Sequence, residues 1–295
     1  MTRRDFVAAG LALAGVPPSR LAAADTPAGP VPAPKTGVRV GMAQILVKAS
    51  AADENLARAE AAVARAKALD CDFVVLPECL DLGWTNPAAR QLATAIPGPF
   101  SDRLAEAARQ HAIHVVAGLH ERDGERLFNA SVLFDDTGRL LHKHHKINEL
   151  DIAWDLYTRG DSLAVAPTRF GKVAISICAD NAPASVSLGH AVGHLGARML
   201  LSPCAWAVPA DYDPVKEPYG WNVWDDSYPD IARRHRMPVI GVSNVGAMEA
   251  GPWKGRLCIG SSLAVSGHGT VLARGPYGVD AEALVTVDLP LAAAG

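Results

Sequence analysis

Several absences narrow the possibilities before any motif is considered. No apolar run is long enough for a stable bilayer span. The run over residues 8–16 falls well short of the roughly 20 residues a spanning helix needs. No extended basic run follows the N-terminus. With 28 Lys and Arg against 31 Asp and Glu, the net charge is −3, so a nucleic-acid partner is unsupported. There is no Gly-x-Ser-x-Gly elbow, which argues against a serine hydrolase, and no Gly-rich phosphate loop. Beyond residue 36 there is no second linker, internal repeat or break in composition, so residues 37–295 read as one domain. Aromatics make up only 6% of the chain, yet six of them are tryptophans. The five cysteines are an odd number, which leaves at least one free thiol.

What is present centres on three strand ends. Residues 171–178 alternate Val173, Ile175 and Ile177 with small or polar residues, the period of a half-buried strand. The alternation stops at Cys178, and Asp180, Asn181 and Pro183 follow as turn and helix-start residues. Residues 73–77 form a short apolar strand that ends on Glu78. A third strand-like segment, around residues 139–144, leads to Lys146. An acid, a lysine and a cysteine at strand ends can supply a base, a cation and a nucleophile. Cys178 alone would read as a small buried core residue.

These stretches resemble the three signature motifs of the nitrilase superfamily, the carbon–nitrogen hydrolases. The matches are Leu76-Pro77-Glu78, then Lys146, then Cys178-Ala179-Asp180, in the family's order. Lys143 also fits loosely, but Lys146 is preferred for its spacing after Gly138 and for the Ile147-Asn148 that follows it. His144-His145 and Asn148 depart from the family pattern. Asn129-Ala130-Ser131, Gly160-Asp161, Leu201-Ser202-Pro203, Asn244-Val245-Gly246 and Gly260-Ser261-Ser262 extend the resemblance over roughly residues 37–290. It implies an α/β fold, a four-layer α-β-β-α sandwich, with Glu78, Lys146 and Cys178 as catalytic residues. A second acid is implied too, for which Glu149 and Asp155 are candidates. Cys79 and Cys204 adjoin matched motifs and are expected near the pocket. Trp206 fits either the pocket wall or the core.

The implied chemistry is cleavage of a non-peptide C–N bond through a thioester on Cys178. The Asp180 of Cys-Ala-Asp leans toward a linear amide or N-carbamoyl substrate over a nitrile. Nitrile hydrolysis, acyl transfer to an amine, and a silent binding role are the alternatives. No cofactor and no metal are expected. His142, His144 and His145 read as a solvated strand, and His190 and His194 lack the glutamate of a zinc-protease motif. The implied partner is a small amide-like molecule, and the implied assembly a homodimer or larger homo-oligomer.

Arg3-Arg4-Asp5-Phe6, the short apolar run and Ala22-Ala23-Ala24 resemble a twin-arginine export signal over residues 1–24. A Pro/Ala-rich linker over 25–36 would follow. The expected location is the periplasm after cleavage.

Among the elements, strands are expected around residues 38–42, 72–76, 114–118, 129–134, 139–144, 199–201, 239–244, 262–265, 270–274 and 284–288. Helices are expected over 50–69, from 101, over 183–195 and over 226–236. Ser50 is the expected N-cap of the first helix, with Asp53 completing a capping box.

Overall fold

The computed structural model describes residues 37–290. The signal and linker expectations therefore lie outside the described residues.

Two six-stranded sheets carry the fold. The first runs in the order Ala283–Pro290, Gly37–Gln44, Phe73–Val75, His114–Asp123, Arg126–Phe134, Leu140–His145. The second runs Val271–Arg274, Leu263–Val265, Val239–Ser243, Met199–Cys204, Gly171–Ile175, Ala166–Thr168. Each has a central parallel trio bordered by antiparallel strands.

The layering follows from side-chain alternation, because successive residues of a strand face opposite ways. Phe73, Val75, Val116 and Leu133 of the first sheet meet Val173, Ile175, Met199, Leu201, Ile240 and Val242 of the second in one dry core. The alternate residues Val74, Leu76, Val115 and Val132 face outward, against Leu56, Ala59, Val63 and Ala66 of helix Ala52–Ala68 and Leu104, Ala107 and Ala108 of helix Pro99–His111. On the far side, Ala174, Leu200 and Val239 pack under Val192 of helix Val186–His194 and Ile231 and Ala232 of helix Trp224–His235. The result is the α-β-β-α sandwich. Strands covered on both faces read as continuous apolar runs, which is why their sequence pattern signals burial better than orientation.

Some local expectations need correction. Ser50 does not cap the first helix: Ala51 holds that position, without a side-chain cap bond. Ser50 adopts φ +58° and its Oγ accepts from Asn86 Nδ2 at 2.8 Å, so its hydroxyl is committed to a loop. Asp53 pairs with Arg103 at 3.1 Å. The His114 strand continues to Asp123, and pairs with Arg126–Phe134 in a hairpin around Gly124. A small three-stranded sheet of Val245–Ala247, Leu257–Ile259 and Ala207–Val208 had no clear signal in sequence, because its strands are two or three residues long.

All five cysteines are free and buried. Leu201, fully buried between the sheets, gives a test of this core. Leu201→Ala should lower unfolding stability by about 2–5 kcal/mol, the usual range for such a truncation. It would be read as a fall in denaturant midpoint at unchanged slope.

Candidate active site

Glu78 and Cys178 both lie just beyond the C-terminal ends of parallel strands, Phe73–Val75 and Gly171–Ile175. In parallel sheets that edge is where loops form crevices. Lys146 follows directly on strand Leu140–His145. The structure brings all three to one cavity of about 190 Å³, with Trp206 in its wall.

The Glu78 elbow is held by backbone bonds to both sheets. Gly118 N–H donates to Pro77 O at 3.0 Å, Leu80 N–H to Gly118 O at 2.9 Å, and Glu78 N–H to Cys204 O at 3.1 Å. The approach at Gly118 requires glycine: a Cβ there would lie 2.5 Å from Glu78 Cα. Gly160 does the same for the lysine segment. Its N–H donates to Lys146 O at 2.8 Å, and a Cβ would fall 2.1 Å from His145 O.

Lys146 Nζ donates to Glu78 Oε1 at 2.6 Å and lies 3.7 Å from Glu149 Oε2, an ion-pair contact longer than a hydrogen bond. All three side chains are essentially buried. Asn129 Nδ2 donates to the same Glu78 oxygen at 2.7 Å, which leaves Glu78 Oε2 without a hydrogen-bond partner. Burial alone would lower the Lys146 pKa, but the Glu78 and Glu149 carboxylates outweigh it and hold the ammonium well above its usual range. Burial raises Glu149 to about 8 against the opposing pull of Lys146, and the charges of Glu78 and Asp180 add to the rise. The Cys178 thiol is also pushed well up, by a hydrogen bond with Cys204, by burial and by the Glu78 charge, with Lys146 opposing.

Cys178 opens a short 3-10 turn, Cys178–Asn181, and adopts φ +43°, a left-handed conformation that L residues seldom take. Such a strained residue persists only where its surroundings fix it. Here the Cys178 N–H donates to Ser202 Oγ at 3.0 Å, and Asn181 Nδ2 donates to Ser176 Oγ and Ser202 Oγ at 2.8 and 3.0 Å. Asp180 ties this turn to the lysine segment. Its Oδ1 accepts from Ile147 N–H at 3.0 Å and Asn148 N–H at 2.8 Å, and its Oδ2 from Ile177 N–H at 3.0 Å. His144 Nε2 lies 2.8 Å from the same Oδ2.

The remaining candidates sort clearly. Lys143 points away, paired with Glu121. Of the two second-acid candidates, Glu149 reaches the site. Asp155 does not: it is exposed beyond the turn Asp151–Ala153, and its backbone carbonyl binds Arg90. Trp206 is 2% exposed and still borders the cavity, so wall and core are the same place. Cys79 and Cys204 adjoin the site without lining the cavity. Cys79 Sγ lies 3.8 Å from Tyr157 Oη, and the Cys204 thiol donates to Ser202 O at 3.3 Å. The histidine strand is not solvated throughout: His144 is buried on Asp180, and His145 stacks on Phe128 and contacts Glu121. Among the described residues, no three His, Cys, Asp or Glu side chains converge as metal ligands.

Sequence reasoning missed the roles of Asn129, Ser202 and Asp180, although each lies inside a motif it had singled out. It also missed a buried network in which His120 contacts Asp81 at 2.8 Å and Tyr157 Oη at 2.9 Å beneath the Glu78 loop.

The carbon-nitrogen hydrolase family profile matches residues 39–295. This chain belongs to that family. The hydrolase is similar to the omega-amidase of Xenopus tropicalis, 30% identical over 178 residues, covering 57% of this chain and 63% of the relative. It is also similar to a bifunctional nitrilase/nitrile hydratase of Nicotiana tabacum, 28% identical over 226 residues, covering 68% and 57%. The match thus spans somewhat under two thirds of the length of these relatives. Among solved structures it resembles an amidase from Nesterenkonia sp., with TM-score 0.73, 20% identity, and 88% and 92% of the two chains covered. A carbon-nitrogen hydrolase from Helicobacter pylori gives TM-score 0.75 and 20% identity over 86% and 89%.

The Glu149 environment predicts a pH effect. Its folded pKa, about 8, lies above the ordinary 4.5, so between those values the folded chain holds a proton that the unfolded chain has released. Stability should fall as pH rises through that window. Glu149→Gln should remove this slope, which chemical denaturation of both proteins across the window would show.

Proposed function

We propose that this hydrolase cleaves a non-peptide C–N bond, in a linear amide or an N-carbamoyl group, through a thioester on Cys178. The observation that carries the reading is the buried Lys146–Glu78 pair facing the same cavity as Cys178. Family membership and the omega-amidase relatives support it.

The chemistry follows from the charges. The thiol rests protonated, so attack must coincide with loss of its proton. Glu78 is the acceptor, since its Oε2 has no other partner while Oε1 is held by Lys146 and Asn129. Sγ bonds to the carbonyl carbon, and the carbonyl oxygen becomes an anion beside the Lys146 ammonium. The C–N bond then breaks as Glu78 returns the proton to the departing amine, leaving the thioester. Glu78 next takes a proton from water, the hydroxide adds to the thioester, the C–S bond breaks to release the product acid, and Glu78 returns the proton to the Cys178 sulfur. Glu149 is the second acid, steadying Lys146 from 3.7 Å.

The tobacco relative favours nitrile hydrolysis by the same residues as the second reading. The reading includes a homodimer or larger assembly, supported by the family resemblance and by the strongly exposed Val215 and Trp221. It also includes twin-arginine export, supported by Arg3-Arg4-x-Phe6 and the Ala22-Ala23-Ala24 site. On that view the exported chain begins near Asp25. N-terminal sequencing would show this, and a retained Met1 would refute it.

Brief mixing with an amide, followed by intact-mass analysis, should reveal an adduct of one acyl group on the native protein and none on Cys178→Ala. Lys146→Ala should lower kcat by at least about 100-fold, the scale of a lost oxyanion donor. Full activity in either variant would overturn the assignment.

A further inference from the structure

The cavity wall is unusual for a chain so poor in aromatics. Trp84, Trp206, Tyr219, Trp224 and Trp253 all border it, so five of the chain's seventeen Phe, Trp and Tyr residues gather around one site. Their rings are set against one another. Trp206 stacks on Trp224 with centroids 5.1 Å apart and planes 21° from parallel. Trp84 meets Trp253 edge-on at 5.1 Å. Trp224 Nε1 donates to Tyr219 Oη at 3.2 Å. Rings fixed in this way form flat apolar walls that are in place before substrate arrives.

The charge in the wall is limited in a complementary way. Among the described residues, Glu78 and Lys146 are the charged residues lining the cavity, and they are paired with each other. Arg256 lies over Trp253, 3.8 Å from the ring centroid, and does not line the cavity. A carboxylate carried deep into the cavity would therefore meet apolar walls with no free counter-charge among the described residues, and burying an unpaired charge is strongly unfavourable. The indole nitrogens of Trp84 and Trp206 are buried within the wall, so it is the ring faces and edges of these residues that border the cavity. An apolar cavity of about 150 Å³ accepts benzene, and this one, at about 190 Å³, also has room for a carboxamide.

From the aromatic walls and the self-paired charges, we propose that the substrate is a primary amide whose acyl group is uncharged and carries an aromatic ring. The inference rests on the hydrolase reading above and narrows it. Amides bearing a distal carboxylate, and N-carbamoyl amino acids for the same reason, are disfavoured.

A matched pair tests this. 3-Phenylpropanamide and succinamate share the CH2CH2CONH2 unit and differ in phenyl against carboxylate. The native protein should show kcat/KM at least about 100-fold higher for the phenyl compound, the scale expected for a charge buried without a partner. The Cys178→Ala protein should bind only the phenyl compound, read by quenching of tryptophan fluorescence. Cleavage of succinamate as fast or faster would overturn the inference and leave the hydrolase reading standing. If neither amide is cleaved and no ammonia appears, the hydrolase reading fails instead. The binding measurement then still decides: a preference for the phenyl compound upholds the pocket assignment, and equal, reversed or absent binding overturns it.

Discussion

The ion pair between Lys146 and Glu78 is the constraint around which the site is built. Two opposite charges 2.6 Å apart, each about 1% exposed, have given up their hydration, which typically costs several kcal/mol per ion. Their attraction repays this only if neither can drift and the remaining polar atoms are matched. The surroundings meet that demand. Asn129 donates to the shared Glu78 oxygen, and Glu149 lies 3.7 Å from Lys146. Two glycines let backbone approach where a methyl group would collide. If either charge were lost, the other would be stranded in the interior, so the pair and its supports behave as one unit.

That unit has to be aligned with Cys178, the proposed nucleophile, on the other sheet. The sandwich brings the carboxyl ends of two parallel trios to the same edge, but apolar packing between sheets fixes separation better than it fixes position along the strands. The polar links supply the rest. Glu78 N–H bonds to Cys204 O across the sheets, and Asp180 accepts from Ile147, Asn148 and Ile177 N–H. One carboxylate therefore joins the segment carrying the lysine to the turn carrying the cysteine. The opposing influences on Asp180 fit this role: burial raises its pKa, yet the bond and charge of His144 and the donated N–H groups bring it down overall.

What was legible in the sequence was whatever depends on order along the chain. Strand ends are marked by the stop of an apolar alternation, so Glu78, Lys146 and Cys178 could be found, and the family resemblance supplied the sandwich that periodicity could not. Relations across the fold left no such mark. Glu149 and Asp155 stand three and nine residues beyond Lys146 and looked interchangeable, but the turn at Asp151–Ala153 sends one inward and the other to solvent. His144 looked like one of several surface histidines because its partner, Asp180, lies 36 residues away. Ser50 has the chemistry of a cap, but a tertiary contact with Asn86 claimed its hydroxyl. At Ser50 a local propensity met a long-range partner and lost.

The charge state of the buried set and the character of the cavity can be understood together. Two glutamates and one lysine would carry a net negative charge if all were ionised, and an apolar wall of tryptophans cannot stabilise that. Burial raises Glu149 to about 8, so the set takes up a proton far more readily than exposed carboxylates would, which favours a balanced Lys146–Glu78 pair. An aromatic enclosure can then surround it without a further counter-ion. The same balance bears on the substrate. Among the described residues the one cation lining the cavity is held by Glu78 at rest, and in the proposed reaction it gains the transient negative charge on the carbonyl oxygen. A group charged before reaction would compete for that cation in the ground state. A neutral one leaves it for the transition state, where stabilisation accelerates the chemical step.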